Sequence, residues 1–229
     1  MISRLHWNNF HIEPVFCYIP GFALSLVVTL KHTSSLEKSN EKKDEILQAL
    51  AEMLEHPQRL KITTAALAMK LGISQSSVYR CFSNKAQMFE ALIEFIEKTL
   101  FALINKILQE EHSATQKIEN LLLLLLGFSR KNPGMTRILV NDVLINENEH
   151  LQLRVNQLHD RLEATLKQAL RFAASEGQIN RNVNVTARAN LLLCFVIGRW
   201  YQFVKSEFAR DPLADWEVQR LILLPSELL

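Results

Sequence analysis

The chain has 229 residues, 48% apolar and 22% charged, which is enough for a real core and too apolar for a disordered chain. Six glycines and six prolines disfavour a turn-rich all-β fold, and Cys17, Cys81 and Cys194 form neither a disulfide framework nor a C-x-x-C metal spacing, so reduced thiols in a cytosol fit them best. A net charge of +2 is too small to point to nucleic acid by itself, so the distribution of charge has to decide.

Residues 1–36 fit no standard segment. The run "VFCYIPGFALSLVVTL" (15–30) is apolar but is broken by Pro20-Gly21, and a spanning helix needs about 20 apolar residues. A basic start and a small-residue cleavage site are not evident. Three readings remain for this extension: a start codon placed too far upstream, a loose arm, or a membrane anchor. The first fits best, and no membrane partner is expected.

From residue 40 onward the apolar spacing is helical. "NEKKDEILQALAEMLEH" places Ile46, Leu47, Leu50, Met53 and Leu54 on one face, with Asn40 as N-cap and Pro57 past the end. Thr63 or Thr64 opens a second helix that Gly72 stops, Ser74 opens a third, and Ser83 or Asn84 opens a long fourth reaching about residue 110. "ATQKIENLLLLLLGFSRK" reads as a buried helix ended by Asn132-Pro133-Gly134; its leucine run is too short to span a membrane and has charges at both ends. Further helices are predicted at about 135–146, 148–176, 186–208 and 213–224. The fold class is all-α, with a three-helix N-terminal unit over 40–86 followed by a helical bundle over 87–229.

Thr64–Cys81 carries the functional signal. Two helices crossing at a tight turn need a small residue at the crossing, a residue at ease in the left-handed conformation at the turn, and an apolar anchor beyond it. Ala68, Gly72 and Val78 occupy those positions. With Leu67, Leu71, Ile73 and Cys81 assigned to the small core, Gln75, Ser76, Ser77, Tyr79 and Arg80 are left to face outward. Side chains of these types reach base edges and phosphates in a major groove. Residues 57–89 contain Arg59, Lys61, Lys70, Arg80 and Lys85 and no carboxylate. Of the 26 basic residues, 21 remain for the rest of the chain against 24 acidic ones. Positive charge is thus concentrated where counterion release at phosphates needs it.

The glycine turn, the V-Y-R-x-F run and the following S/N-K resemble the DNA-binding domain of the TetR family. That resemblance implies phosphate contacts from Tyr79 and Lys85 and a DNA face that also includes Lys61, Thr63, Thr64, Gln75 and Ser76. "EILQALAEMLE", "MFEALIEFIEKTL", "LLLLLLGFSRKNPGMTRIL" and "FVKSEF" extend it, over about residues 41–210, to the family's nucleoid occlusion branch. The branch implies a homodimer on palindromic double-stranded DNA sites that, when DNA-bound, disrupts polymers of the division protein FtsZ. It also implies a cytoplasmic, nucleoid-associated protein that is not an enzyme. The FtsZ-facing residues carried over are Phe95, Leu124, Gly127, Lys131 and Asn132. Lys131 stands where the branch would place arginine, and Leu103 where it would place a basic residue.

Two other functions compete. A ligand-responsive repressor would need convergent polar groups in the C-terminal half, for which Asn141, Asp142, His159 and Arg199 are the candidates. An enzyme would need a phosphate loop, an H-E-x-x-H helix or a nucleophile elbow, and none of these occurs. No cofactor and no metal is expected. The helix at 186–208 is apolar almost all round and includes Gly198, which suits a dimer seam that sets two recognition helices about 34 Å apart.

Overall fold

The computed structural model describes residues 36–56, 62–144 and 149–224, and of residues 36–39 only the backbone. Within them every regular element is a helix: α1 (Leu36–Leu54), α2 (Thr64–Leu71), α3 (Gln75–Cys81), α4 (Lys85–Glu110), α5 (Ala114–Lys131), α6 (Pro133–Leu139), α7 (Glu149–Ser175), α8 (Val185–Lys205) and α9 (Trp216–Leu223). The expectations for the rest of the N-terminal extension and for Lys61 fall outside the described residues. The chain divides into two compact units between Glu94 and Phe95.

In the N-terminal unit α1, α2 and α3 pack on one another. Their shared core is Ile46, Leu47, Leu50, Leu54, Leu67, Ala68, Val78 and Phe82. Asn40 does not cap α1, which starts at Leu36; the polar stretch before the first apolar residue is helical because "EKSNEKK" contains no breaker. Leu71, Ile73 and Cys81, expected inside, are only half-buried at the rim of this small core.

In the C-terminal unit α5 is the centre. Twelve of its residues are buried, from Ala114 to Ser129, and α6, α7 and α8 pack against it or against one another. A helix apolar on all faces must be covered on all faces, and the model covers the six leucines Leu121–Leu126 in this way. Trp200 of α8 is fully buried, and its indole N–H donates to the Leu125 carbonyl at 3.0 Å. α6 is shorter than its apolar pattern suggests. Pro133 fits its first turn, but the helix stops at Leu139 and Asn141 takes φ +58°.

Below α6, Asp142 accepts from Arg137 Nε at 2.8 Å, with both side chains almost wholly buried, and Lys205 of α8 lies 3.6 Å from the same carboxylate. Removing one member of a buried pair strands the other charge. Asp142→Ala is expected to destabilise this unit by roughly 3–5 kcal/mol, whereas a change at an exposed position such as Gln157→Ala should cost under about 0.5 kcal/mol; denaturant unfolding of the two variants measures the contrast.

Candidate nucleic-acid interface

The geometry of α2 and α3 follows from their caps. Thr63 is extended (φ −124°, ψ 154°) and its hydroxyl accepts from the Ala66 N–H at 3.1 Å. At the other end Gly72 adopts φ +64°, its N–H bonds the Met69 carbonyl at 3.2 Å, and the Ile73 N–H bonds the Ala68 carbonyl at 3.0 Å. That pair of bonds is the Schellman closure, which glycine makes without Cβ strain. Ser74 caps α3 through the Ser77 N–H, and its hydroxyl also lies 2.9 Å from that of Ser76 and 3.0 Å from that of Ser77. Val78 points inward and is fully buried.

What α3 leaves outside is close to the expected set. Gln75, Ser76, Tyr79 and Arg80 are exposed and Ser77 is half-buried. Tyr79 and Thr64 are brought together across the turn, hydroxyl to hydroxyl, at 3.1 Å. Thr63 is occupied as a cap, which leaves its hydroxyl proton to donate outward. Lys85 lies at the start of α4, 5.4 Å from the centre of the Phe89 ring. There the Asn84 side-chain Oδ1 accepts from the Gln87 N–H at 2.9 Å, and the Gln87 side chain accepts from the Ser83 N–H at 2.9 Å.

The positive charge is less free than a count suggests, because Lys70 is ion-paired with Glu52 of α1 at 3.0 Å. Arg80 is exposed on α3, and Lys85 is half-buried at the start of α4. Sequence reasoning did not single out Ser74 as the hub of the serine cluster, although its place after Gly-Ile was a visible signal. It also did not mark Met69, which is 81% exposed on α2.

With this geometry established, comparison with known proteins decides the family. Residues 46–92 match the model of the bacterial regulatory proteins of the tetR family, and residues 112–226 match a tetracyclin repressor-like, SlmA-like C-terminal domain. The chain is 44% identical over 186 residues to the nucleoid occlusion factor SlmA of Marinomonas sp. (strain MWYL1), covering 81% of this chain and 94% of that one. It is also 44% identical over 182 residues to the SlmA of Alteromonas mediterranea, covering 80% and 93%. The chain belongs to the TetR family, in its SlmA branch. Among solved structures, a TetR transcriptional regulator from Chloroflexus aurantiacus superposes with a TM-score of 0.70 at 16% identity, covering 84% of this chain and 98% of that one. The FadR regulator of Bacillus subtilis superposes at 0.65 and 14%, covering 80% and 97%. At such low identity these two establish the shared fold and nothing more.

The residues carried over as a partner surface fare differently from the DNA face. Phe95 and Lys131 are half-buried, but Leu124, Gly127 and Asn132 are buried. Leu124 and Gly127 lie in the covered middle of α5. Asn132 closes α5, its side-chain N–H2 donating to the Phe128 carbonyl at 2.8 Å, so this side chain is buried and serves the junction with α6. Of the four polar residues weighed for a ligand pocket, Asp142 and Arg199 are committed elsewhere, whereas Asn141 Oδ1 and His159 Nε2 are buried without a hydrogen-bond partner. Asp142 is paired, and Arg199 donates to the carbonyls of Asp211, Pro212 and Ala214 at 2.8–3.0 Å. His159 lies against Trp200 with ring centres 6.1 Å apart and bonds the Leu139 backbone, while burial pushes its pKa below the usual histidine value. A cavity lined by Thr115, Ile118, Leu170, Ile179, Val183, Arg188 and Leu224 has a volume of about 20 Å³, room for about one water molecule.

Among the described residues no helix is long and apolar enough to cross a membrane, and no cluster of histidine, cysteine and carboxylate groups could hold a metal ion.

Two outcomes follow for this face. An added Cβ at Gly72 meets nothing within 4 Å, so the cost of a substitution there is the backbone conformation alone. Gly72→Val should lose on the order of 1–3 kcal/mol of stability and reduce operator affinity while far-UV circular dichroism stays helical; Gly72→Asn, a residue that tolerates the left-handed region, should retain much of both. For Lys85→Ala, binding isotherms over a range of salt should show a slope of log K against log salt shallower by about one unit, with specific and non-specific DNA weakened alike.

Proposed function

We propose that this protein is a DNA-bound nucleoid occlusion factor: a homodimer that occupies palindromic chromosomal sites and, so bound, antagonises FtsZ assembly over the nucleoid. The observation that carries the reading is the 44% identity to proteins named nucleoid occlusion factor SlmA, running through the C-terminal half, where TetR regulators of different function ordinarily diverge. The DNA face of the reading is Lys61, Thr63, Thr64, Gln75, Ser76, Ser77, Tyr79, Arg80 and Lys85. Gln75, Ser76 and Arg80 reach base edges, and the hydroxyls with Lys61 and Lys85 hold phosphates.

Dimerisation runs through the outer stripe of α8. Leu191, Cys194, Gly198 and Tyr201 are exposed there at helical spacing, with glycine permitting close approach. Pairing two protomers about a two-fold axis sets the two α3 helices to read half-sites one turn apart.

FtsZ is met by Phe95 and Lys131, with Leu124, Gly127 and Asn132 shaping the surface from beneath. Exposed Arg130, held 3.3 Å from Asp211, adds positive charge beside Lys131 for an acidic tail. The engagement of Asp142 with Arg137 and of Arg199 with the carbonyls of Asp211, Pro212 and Ala214 leaves these two polar groups less available to the ligand-responsive alternative.

Sedimentation of FtsZ polymers with and without the operator duplex tests the reading. Wild-type protein with DNA should shift FtsZ from pellet to supernatant. Lys131→Asp should bind the duplex with unchanged affinity and leave the polymers in the pellet, because like charges across an interface cost several kcal/mol and slow encounter. Polymers untouched by DNA-bound wild-type protein would return the protein to the ligand-responsive class.

A further inference from the structure

Of the 18 residues of α5, Arg130 is the one that the fold leaves exposed. Among the described residues its guanidinium meets a single partner, Asp211 in the turn between α8 and α9. Its Nη1 donates to Oδ2 at 3.3 Å, with the two side chains 44% and 46% exposed. A charge-assisted bond of this type normally closes to about 2.7–2.9 Å, and a guanidinium grips a carboxylate best through two parallel bonds. The contact here is longer and rests on one nitrogen. Exposed pairs of this kind add little to stability.

Asp211 is fixed without any help from Arg130. Its Oδ1 accepts from the Leu213 N–H at 2.9 Å. Its main-chain carbonyl accepts from Arg199 at 2.9 Å and from the Ala214 N–H at 3.0 Å. The turn therefore holds the second carboxylate oxygen near the end of α5 wherever the arginine side chain goes. A fixed anion set against a long, flexible cation forms a tethered competitor: it neutralises the cation until an outside carboxylate takes its place.

We infer that Asp211 stands in for the acidic segment of the partner, and that its contact with Arg130 restrains the partner surface beside Lys131. The inference rests on the FtsZ reading of the proposed function and deepens it by naming what regulates that site. An incoming carboxylate that engages both outer nitrogens of Arg130 gains the fork geometry that Asp211 lacks. Asp211, nearly half exposed and tied to its own turn, is then left to water at little cost. The restraint is accordingly mild, enough to set a threshold for binding and too weak to prevent it.

Fluorescence anisotropy of labelled FtsZ, titrated with the operator-bound protein, tests this with four proteins: wild type, Asp211→Asn, Arg130→Gln and the double variant. Asparagine keeps the oxygen that accepts from Leu213 and removes the charge, so operator affinity and far-UV circular dichroism should match wild type. Asp211→Asn should tighten FtsZ binding about two- to fivefold, and the gain should shrink as salt screens the pair. In the Arg130→Gln background the same change should do nothing, because the two effects are coupled through one contact. An Asp211→Asn variant with unchanged or weaker FtsZ affinity overturns the inference and leaves the FtsZ reading standing. An equal gain with and without Arg130 also overturns it, since Asp211 would then act only as a distant charge. Wild-type protein that binds no FtsZ when DNA-bound overturns the proposed function and this inference together. Should Asp211→Asn disturb the turn, Asp211→Ser is read in the same way, its hydroxyl being able to accept from the same N–H.

Discussion

A helix with leucine at six consecutive positions has no face it can give to water, and the architecture of the C-terminal unit follows from covering it. α6, α7 and α8 are drawn around α5, and the carbonyl of Leu125 is reached by an indole N–H from the far side of the core. Once that requirement is met, little of α5 remains for any other purpose. Its one exposed residue is Arg130, close to where the chain turns through Asn132 and Pro133 into α6. Asp142 and Arg199, polar as they look, are spent on holding elements of this unit together.

The N-terminal unit solves a smaller problem with smaller means. Its helices α2 and α3 are too short to be stable alone, and nearly every hydroxyl near the turn has a structural duty. Thr63 caps α2, Ser74 caps α3, and Thr64 meets Tyr79. A backbone kink at one glycine sets the angle, and an ion pair from Lys70 to Glu52 fastens the pair of helices to α1. Residues 57–89 themselves contain no carboxylate, and Arg80 is exposed on α3.

Most of this could be read in the chain before any coordinates, for definite reasons. The turn was legible because glycine, the threonine before α2 and the serine before α3 are chemically forced there, and the buried leucine helix because its length and flanking charges left one reading. Helix ends were less legible. α1 begins earlier than its apolar pattern, since nothing in "EKSNEKK" stops a helix, and α6 ends early at a left-handed asparagine that periodicity does not reveal. The partner surface was least legible. Leu124, Gly127 and Asn132 came from resemblance, and burial depends on what packs against a residue, which neither spacing nor resemblance states. The exposed edge of α9 was missed for the converse reason: Val218, Leu221 and Ile222 look like the inner face of a terminal helix until Trp216 and Leu223 are seen to hold that place.

On α3 the labour of folding and the labour of reading fall on different side chains. Val78 and the serine cap keep the helix in place, whereas among the described residues neither Gln75 nor Arg80 makes a side-chain hydrogen bond within the protein. A lineage could therefore exchange these two for other polar residues and acquire a new set of chromosomal addresses without first having to repair the scaffold that displays them.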